Sequence, residues 1–438
     1  MTRLLLPLAI LWTAAAAAQN PLVTDQFTAD PTARVFGDRV YVYPSHDVDC
    51  GTDWFCMKDY HVFSSDDLVT WTDHGEILHQ DDVPWVDASQ NAMWAPDAVE
   101  KDGTYYFYFP AIGDSTTAAR GRRIGVATAS APEGPFTPEP MPMEGVGGID
   151  PNVYIDGDGQ AYLYWSGRGL WGARLADDMR SLASEPVQFD ASFPAGFKEG
   201  PFVFERDGIY YFTFPHVIHE TEALAYATGP SPLGPFTYRG VFMEEHASGC
   251  WTNHHSFVER DGQWLLFYHH NDLSPDFDKN RSIRADSVFF NPDGTLRRVT
   301  PTHRGVGLVD ARQPIQVDRY SRTSGAGVDV SFLDPDDPFA GWGVALSQNG
   351  SWVAFDGVDV GEAPPARVHL RVQSETGGSL KVRIGRDGAY ATADLEVEPG
   401  AGWRTVEAPL EDVLTGVRDV WVSLRSDGAV AVDWVRFE

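Results

Sequence analysis

Short runs of alternating apolar and polar residues, separated by tight turns, fill most of the chain and predict β-strands. The clearest example is residues 196–214, which read as a short apolar strand, an Asp-Gly turn and a second strand rich in aromatic residues. Asp-Gly between two such runs is typical of a β-hairpin. The pattern therefore predicts an all-β protein.

A tight turn followed by an aromatic strand occurs five times along the chain. The turn glycines are 66, 56, 49 and 54 residues apart, which is too short for separate domains. Five units of about four antiparallel strands each, arranged around one axis, predict a five-bladed β-propeller. The glycines that mark the units are Gly37, Gly103, Gly159, Gly208 and Gly262.

An ionisable residue stands at the same phase of each unit, a few residues before the turn, where the innermost strand of a blade is expected. Because inner strands converge on the axis of a propeller, these five side chains are expected to meet in one funnel. They are Asp30, Asp97, Asp150, Glu199 and His254.

A different pattern of short alternating strands begins near residue 316 and predicts a second domain, a β-sandwich of the jelly-roll type. We expect a secretory signal at residues 1–18, the propeller at 19–305, a linker at 306–315 and the sandwich at 316–438. The first segment carries Arg3, an apolar run and a string of alanines, which predicts a secreted or periplasmic protein. No later apolar stretch reaches the length of about 18 residues that membrane insertion needs.

The chain of 438 residues carries 63 acidic and 33 basic residues, a net charge of −30. This balance argues against nucleic acid and anionic membranes as partners, since both need clustered Lys and Arg. It also disfavours a strongly polyanionic substrate, unless a local basic pocket offsets it. Three cysteines remain: Cys50 can pair with Cys56, or Cys250 with either, and the sequence does not distinguish these pairings.

Carboxyl groups that face each other across a pocket are suited to hydrolysis of a glycosidic bond, with one as general acid and one as general base. Glu199, beside an apolar strand that favours its protonated form, is assigned as the acid. Asp30 is assigned as the base, and Asp150 as the group that holds the proton and position of the acid. The residues alone leave these three roles interchangeable.

Five motifs in order resemble glycoside hydrolase family 43 over residues 20–310. The resemblance implies an inverting five-bladed propeller with Asp30 as base, Asp150 as pKa modulator and Glu199 as acid. It also implies a structural Ca²⁺ near His254, no organic cofactor, and a substrate-binding role for Arg281. The motifs are Ala29-Asp30-Pro31, Trp94-Ala95-Pro96-Asp97, Gly148-Ile149-Asp150-Pro151, Lys198-Glu199-Gly200-Pro201 and Asn253-His254-His255-Ser256.

Other residues of these motifs and loops are candidates for the sugar-binding wall. Aromatic faces stack on the apolar side of sugar rings, which favours Trp94. His46, Asp47 and Trp54 lie on a long loop after the first aromatic strand, which at the mouth of the funnel would block one end and favour exo action. Trp54 is alternatively interpreted as packing beneath a Cys50–Cys56 loop. The full set of expected substrate-binding residues is Trp94, Asp97, His46, Arg281 and His255.

Residues 316–438 resemble a family 6 carbohydrate-binding module, in the segment 351–361 and in the closing Val432-Asp433-Trp434-Val435-Arg436-Phe437. The sequence as a whole predicts a monomeric, exo-acting glycosidase that releases terminal β-D-xylose or α-L-arabinofuranose from plant or algal polysaccharide fragments. The alternatives are another sugar such as galactose, a retaining fructan hydrolase with a related propeller, and a non-catalytic sugar-binding propeller.

Overall fold

The computed structural model describes residues 20–189, 193–386, 388–412 and 414–438. Strands dominate these ranges, and the regular helix within them is limited to three 3₁₀ turns at Gln80–Asp82, Ala88–Gln90 and Pro338–Ala340. The all-β class is therefore confirmed. In the described part of the chain, no helix combines the length and apolarity needed to cross a membrane. The predicted signal, residues 1–18, lies outside the described residues.

Residues 27–288 form five consecutive antiparallel sheets in the described structure. The first contains β1 (Phe27–Phe36), β2 (Arg39–Asp47), β3 (Met57–Ser65) and β4 (Thr72–His79). The second contains β5 (Asp97–Lys101), β6 (Thr104–Gly113), β7 (Gly121–Ala129) and β8 (Thr137–Pro138). The third contains β9 (Ile149–Ile155), β10 (Ala161–Ser166), β11 (Leu170–Arg174) and β12 (Val187–Gln188). The fourth contains β13 (Phe202–Arg206), β14 (Ile209–Val217), β15 (Glu222–Gly229) and β16 (Thr237–Met243). The fifth contains β17 (His255–Arg260), β18 (Gln263–His270) and β19 (Ser282–Val288).

The first strands of the five sheets contact one another in a ring. Strand β1 contacts β5 and β17, β9 contacts β5 and β13, and β13 contacts β17. The chain before β1 runs beside the last sheet, where the Leu22 N–H donates to the Ile283 carbonyl (2.8 Å). The first strand of every sheet therefore faces a common centre.

The Asp-Gly turns lie between the first and second strands of their sheets, as the hairpin pattern predicts. Asp207 and Gly208 join β13 to β14 with φ of 55° and 79°. Positive φ at both central residues is the requirement of the tight hairpin turn, and it explains the choice of Asp and Gly. The pairs at 102–103 and 261–262 have the same signs of φ.

The remaining strands form two six-stranded sheets that share one apolar core. One sheet contains β20 (Val309–Asp310), β22 (Arg322–Thr323), β25 (Trp352–Asp359), β27 (Gly378–Arg386), β28 (Ala389–Val397) and β30 (Val417–Leu424). The other contains β21 (Ile315–Gln316), β23 (Val328–Phe332), β24 (Trp342–Leu346), β26 (Arg367–Ser374), β29 (Gly400–Pro409) and β31 (Val430–Phe437). Strand β20 lies inside the segment expected to be a linker, where it pairs parallel with β25.

Candidate active site

Two of the predicted catalytic residues occupy an unusual backbone conformation on first strands. Asp30 in β1 and Asp150 in β9 have φ of 47° and 56°, and the strand register shifts beside each of them. Each precedes a proline, which has no N–H to pair. A bulge re-aims the side chain, and strained φ values of this kind concentrate at functional sites. Gly200, which follows Glu199 and also precedes a proline, has φ of 51°.

A pocket of about 260 Å³ opens at the centre of the ring of first strands, and we call it the Asp30 pocket. It brings together all three predicted catalytic carboxyl groups and three other predicted site residues. Its lining consists of Asp30, Trp54, Phe55, Met57, Trp94, Ala95, Arg122, Ile149, Asp150, Phe197, Glu199, Trp251, Thr252, His254 and Arg281.

Asp30 is held by a buried arginine. The Arg281 guanidinium donates to both carboxylate oxygens of Asp30, at 2.7 and 3.2 Å, and the Ser45 hydroxyl donates to one of them at 2.9 Å. Burial disfavours the ionised carboxylate, but Arg281 and neighbouring histidines outweigh it, so the pKa of Asp30 is lowered. Asp30 is therefore ionised near neutral pH, as a general base must be.

A second carboxylate, Asp47, also pairs with Arg281. The sequence placed Asp47 on a loop at the mouth of the funnel, whereas it is the last residue of β2, and its pairing with the arginine was not foreseen. Arg281 donates to both Asp47 oxygens, each at 2.9 Å, so that one guanidinium bridges two aspartates. Both Asp47 and Arg281 are almost fully buried. The fixed fork of a guanidinium suits this double contact, and it sets the orientation of Asp30.

Asp150 lines the same pocket as Asp30 and Glu199, and both carboxyl groups act on it electrostatically. Its carboxylate accepts the backbone N–H of Gly200 at 3.0 Å and the Ser166 hydroxyl at 3.3 Å. Burial, followed by the nearby Glu199 carboxyl, raises the pKa of Asp150 to about 7. The contact to Gly200 fixes the backbone directly after Glu199, which fits a residue that positions the acid.

Glu199 stands just before β13 and has a raised pKa, chiefly because it is desolvated and then because another carboxyl, Glu222, lies beside it. Glu222 opens β15 and is 1% exposed. One of its oxygens accepts the Asn253 N–H (2.8 Å), while the other has no donor. Burial raises the pKa of Glu222 to about 8, and the Glu199 carboxyl group lies beside it. The sequence signal for Glu222 was present but weak: a glutamate opening an otherwise apolar strand.

Three of the expected substrate-binding residues are placed away from the Asp30 pocket. Asp97 is 1% exposed, and both its oxygens accept protein donors, Arg34 above all. The His46 ring lies 2.7 Å from Asp59. The His255 ring is buried against Phe rings, and its Nε2 lies 2.7 Å from the Thr213 hydroxyl. The shared phase along the chain predicted the strand of Asp97, but the direction of a side chain depends on the local bulge, which Asp97 lacks.

His254 lines the pocket and presents one nitrogen-bearing ring to it. Calcium prefers six to eight oxygen ligands. Among the described residues, the His, Asp and Glu groups with metal-ligand spacing contain His46, Asp59 and His61, or Asp59, Glu76 and His79, and not His254. The side chains around His254 therefore do not by themselves make a calcium site, and no chemical step is assigned to a metal there.

Aromatic residues form the upper wall of the pocket. Trp54 is 57% exposed and lies on a loop closed by a disulfide between Cys50 and Cys56, while Cys250 is a buried free thiol. Phe197 and Trp251 stack with their ring centroids 6.4 Å apart. Exposed aromatic faces around buried carboxylates are typical of a sugar-binding pocket.

A second cavity, of about 680 Å³, adjoins the first and shares Arg122, Ile149, Phe197 and Glu199 with it. We call it the arginine cleft. Its lining consists of Arg122, Arg123, Gly147, Gly148, Ile149, Ser166, Gly167, Arg168, Gly169, Gly196, Phe197, Lys198 and Glu199.

Comparison with known proteins agrees with this geometry. The model of glycosyl hydrolases family 43 matches residues 18–296, and the model of carbohydrate binding module family 6 matches residues 321–438. The chain is 38% identical over 332 residues to xylosidase/arabinosidase 43A of Humicola insolens, covering 63% of this chain and 98% of that protein.

Two solved structures extend the comparison. A family 43 β-xylosidase/α-arabinofuranosidase from a compost microbial metagenome, in complex with xylotriose, is 37% identical, with a TM-score of 0.59. That match covers 65% of this chain and 98% of the other. An arabinoxylan arabinofuranohydrolase of Bacillus subtilis, in complex with cellotetraose, is 26% identical with a TM-score of 0.56, covering 96% of this chain and 99% of the other.

An aspartate with a lowered pKa and a glutamate with a raised pKa in one aromatic-walled pocket are the equipment expected of a glycoside hydrolase. The chain belongs to glycosyl hydrolase family 43 and carries a C-terminal carbohydrate-binding module of family 6.

Proposed function

We propose that the protein is an exo-acting glycosidase that releases a terminal pentose, β-D-xylose or α-L-arabinofuranose, from plant or algal polysaccharide fragments. The observation that carries this proposal is the opposite electrostatic setting of two carboxyl groups in one pocket. Arg281 lowers the pKa of Asp30, whereas burial and Glu222 raise that of Glu199. The names of the relatives in Humicola insolens and the compost metagenome support a pentose as the released sugar.

The reaction follows from these protonation states. Asp30 takes a proton from a water molecule, whose oxygen attacks the anomeric carbon. Glu199 gives its proton to the departing glycosidic oxygen, so that water is split between the two products. Asp150 holds the backbone beside Glu199 and keeps negative charge near its proton. Attack by water on the face opposite the leaving group inverts the anomeric configuration.

We further propose that the five sheets of residues 27–288 are the blades of a five-bladed propeller and that the two C-terminal sheets form a β-sandwich of the jelly-roll type. The ring of first-strand contacts and the shared apolar core support this description. Four further points remain predictions: export of the chain, a monomeric state, sugar binding by the C-terminal module and a Ca²⁺ ion near His254.

Hydrolysis is tested with untagged protein on aryl β-D-xylosides, aryl α-L-arabinofuranosides, aryl galactosides and short xylo-oligosaccharides. We expect a single terminal pentose as the first product, with inverted configuration in an NMR time course. Release of the retained anomer would contradict the mechanism, and exclusive action on galactosides would contradict the substrate.

Glu199→Gln is the matched catalytic variant, because it keeps the shape of the side chain and removes the proton donor. Glu220→Gln, at an exposed position of the same blade, is its control. We expect the first variant to lose activity most on substrates with poor leaving groups, and the control to keep it. Equal activity of Glu199→Gln and the control on every substrate would favour a non-catalytic sugar-binding propeller.

A further inference from the structure

The arginine cleft has a charge that is opposite to that of the whole molecule. Its lining contains four basic residues and one carboxyl group, that of Glu199, in a chain with 63 acidic and 33 basic residues. The basic residues are Arg122, Arg123, Arg168 and Lys198. A random sample of this chain's charged residues would favour acids about two to one. The concentration of cations in one cavity therefore requires an explanation.

The three arginines of the cleft are not used in ion pairs within the described part of the chain. The Arg122 guanidinium lies over the Trp94 ring, 5.2 Å from its centroid, and so is held at the boundary with the Asp30 pocket. Arg168 is exposed. Lys198 donates to the carbonyl oxygens of Pro194 and Gly196. The Arg122 charge also acts on the nearby Glu199 carboxyl group, whereas the guanidinium groups of Arg123 and Arg168 have no carboxylate partner in the described residues and remain available to a ligand.

Glycines keep the floor of the cleft free of side chains. A Cβ atom at Gly147 would lie 2.9 Å from Nη1 of Arg123, and one at Gly148 would lie 1.9 Å from the Ser166 carbonyl oxygen. No larger residue fits at either position without displacing its neighbours. Gly147 and Gly148 therefore allow the backbone lining of the cleft to pack closely against Ser166 and the Arg123 guanidinium, which leaves that guanidinium beside the cavity.

The two cavities have fixed places relative to the bond that is broken. Asp30 and Arg281 line only the Asp30 pocket, whereas Glu199 lines both cavities. The base must face the anomeric carbon of the released sugar, and the acid must contact the departing oxygen. The released sugar therefore occupies the Asp30 pocket, and the rest of the chain leaves past Glu199 into the arginine cleft.

From these observations we infer that the arginine cleft binds an anionic group, a carboxylate or a sulfate ester, carried by the leaving-group part of the oligosaccharide. This inference rests on the proposed function and adds a preference for acidic substrates to it. Guanidinium forks bind both groups through paired hydrogen bonds. The net charge of −30 repels anions at long range, but salt screens that field beyond about 8 Å, whereas contacts inside the cleft act at shorter range.

The experiment compares xylo-oligosaccharides of equal length that carry no charge, a uronic acid or a sulfate ester next to the scissile bond. We expect kcat/KM to be about fivefold higher for at least one anionic substrate than for the neutral one, the range of an accessible ion pair. The two anionic arms distinguish a carboxylate from a sulfate ligand. The preference should shrink between 0.05 and 0.5 M NaCl.

Two variants, Arg168→Gln and Arg123→Gln, each remove one guanidinium of the cleft. Arg425→Gln is the control, since Arg425 is an exposed arginine directly after β30, in the C-terminal domain. We expect each cleft variant to lower the anionic-to-neutral ratio of kcat/KM by about threefold or more, and the control to keep both the ratio and the activity.

The inference would be overturned if the wild-type protein hydrolysed the neutral substrate as fast as both anionic ones. That result would leave the proposed function intact. A ratio unchanged in both cleft variants would also overturn the inference. Failure to release pentose from any substrate, neutral ones included, would instead contradict the proposed function.

Discussion

The centre of the five-sheet region and the core of the two C-terminal sheets are both buried, but they are built from opposite kinds of residue. Around the Asp30 pocket the buried side chains include Asp30, Asp47 and Arg281. The C-terminal core consists of aliphatic residues and Phe, with side chains such as Phe355 and Val422 fully buried. Burial of charge costs stability unless every group is paired, whereas burial of apolar surface drives folding.

This difference shows that the C-terminal core serves stability alone, whereas the polar centre also serves the chemistry. The apolar core stabilises the C-terminal sheets by area alone and asks for no particular chemistry. The polar centre needs each hydrogen bond in place, since the one Arg281 guanidinium offsets the buried charge of both Asp30 and Asp47. In return it offers carboxyl groups whose pKa values are displaced in opposite directions, which the apolar core does not contain.

The largest expected effect comes from removing the charge of the base. Asp30→Asn keeps the shape of the side chain and leaves Arg281 paired with Asp47, so the fold should persist. We expect kcat/KM on an aryl pentoside to fall by at least about 10³-fold. Activity within tenfold of wild type would contradict the assignment of Asp30.

The core of the C-terminal sheets should respond in the opposite way. Phe355→Ala leaves a cavity at a fully buried position and should lower the free energy of unfolding of these sheets by about 3–5 kcal/mol. Hydrolysis of small aryl pentosides, whose reacting groups are contacted by residues of the five-sheet region, should continue at 25 °C. Val330→Ala, at a position 42% exposed, is the control and should change stability by less than about 0.5 kcal/mol in denaturant unfolding.

Asp97 separates the structural from the catalytic use of a buried carboxylate in the polar centre. It is about as buried as Asp30, but its carboxylate contacts only protein groups. Asp97→Asn removes the charge that pairs with Arg34 and should lower the free energy of unfolding by about 3 kcal/mol. We expect kcat to stay within a few-fold of wild type while the melting temperature falls. A loss of kcat as large as that of Asp30→Asn at unchanged stability would show instead that Asp97 takes part in the reaction.

The smallest expected effect is a shift in the pH dependence of kcat/KM. Burial is the first cause of the raised pKa of Glu199 and the Glu222 carboxyl group is the second, so Glu222→Gln should lower that pKa in part. Since Glu199 must be protonated to act, the alkaline limb of the kcat/KM profile should move to lower pH, while the acidic limb set by Asp30 stays in place. An alkaline limb that does not move would contradict a role for Glu222.

The free energy of unfolding should also depend on pH through the titration of Glu222. The folded-state pKa of Glu222, about 8, is above its ordinary value of 4.5. Its contribution to stability is therefore complete below about pH 4.5 and is lost as the pH rises through 8. Glu222→Gln should flatten the decrease in unfolding free energy over this range in urea titrations, and Glu220→Gln should not.

Much of the architecture could be predicted because its signals are local. The Asp-Gly turns require positive φ at both positions, and the aromatic alternation marks strands, so both can be recognised without knowledge of neighbours. Of the five residues expected to meet in one funnel, Asp30, Asp150, Glu199 and His254 line the Asp30 pocket, and Asp97 does not. Each of the three carboxyl residues stands directly before or two positions before a proline, which marks the bulges in the sequence.

By itself the sequence determined the all-β class, the order of the repeats and the family to which the chain belongs. Only the tertiary structure decided which phase-matched side chains face the pocket, that Glu222 from a neighbouring strand lies beside Glu199, and that Arg122, Arg123 and Arg168 share one cleft. The physical reason is that turns and strand periodicity are fixed by adjacent residues. The pKa of a carboxyl group and the charge of a cavity depend instead on groups distant in sequence, which meet only when the sheets close around the centre.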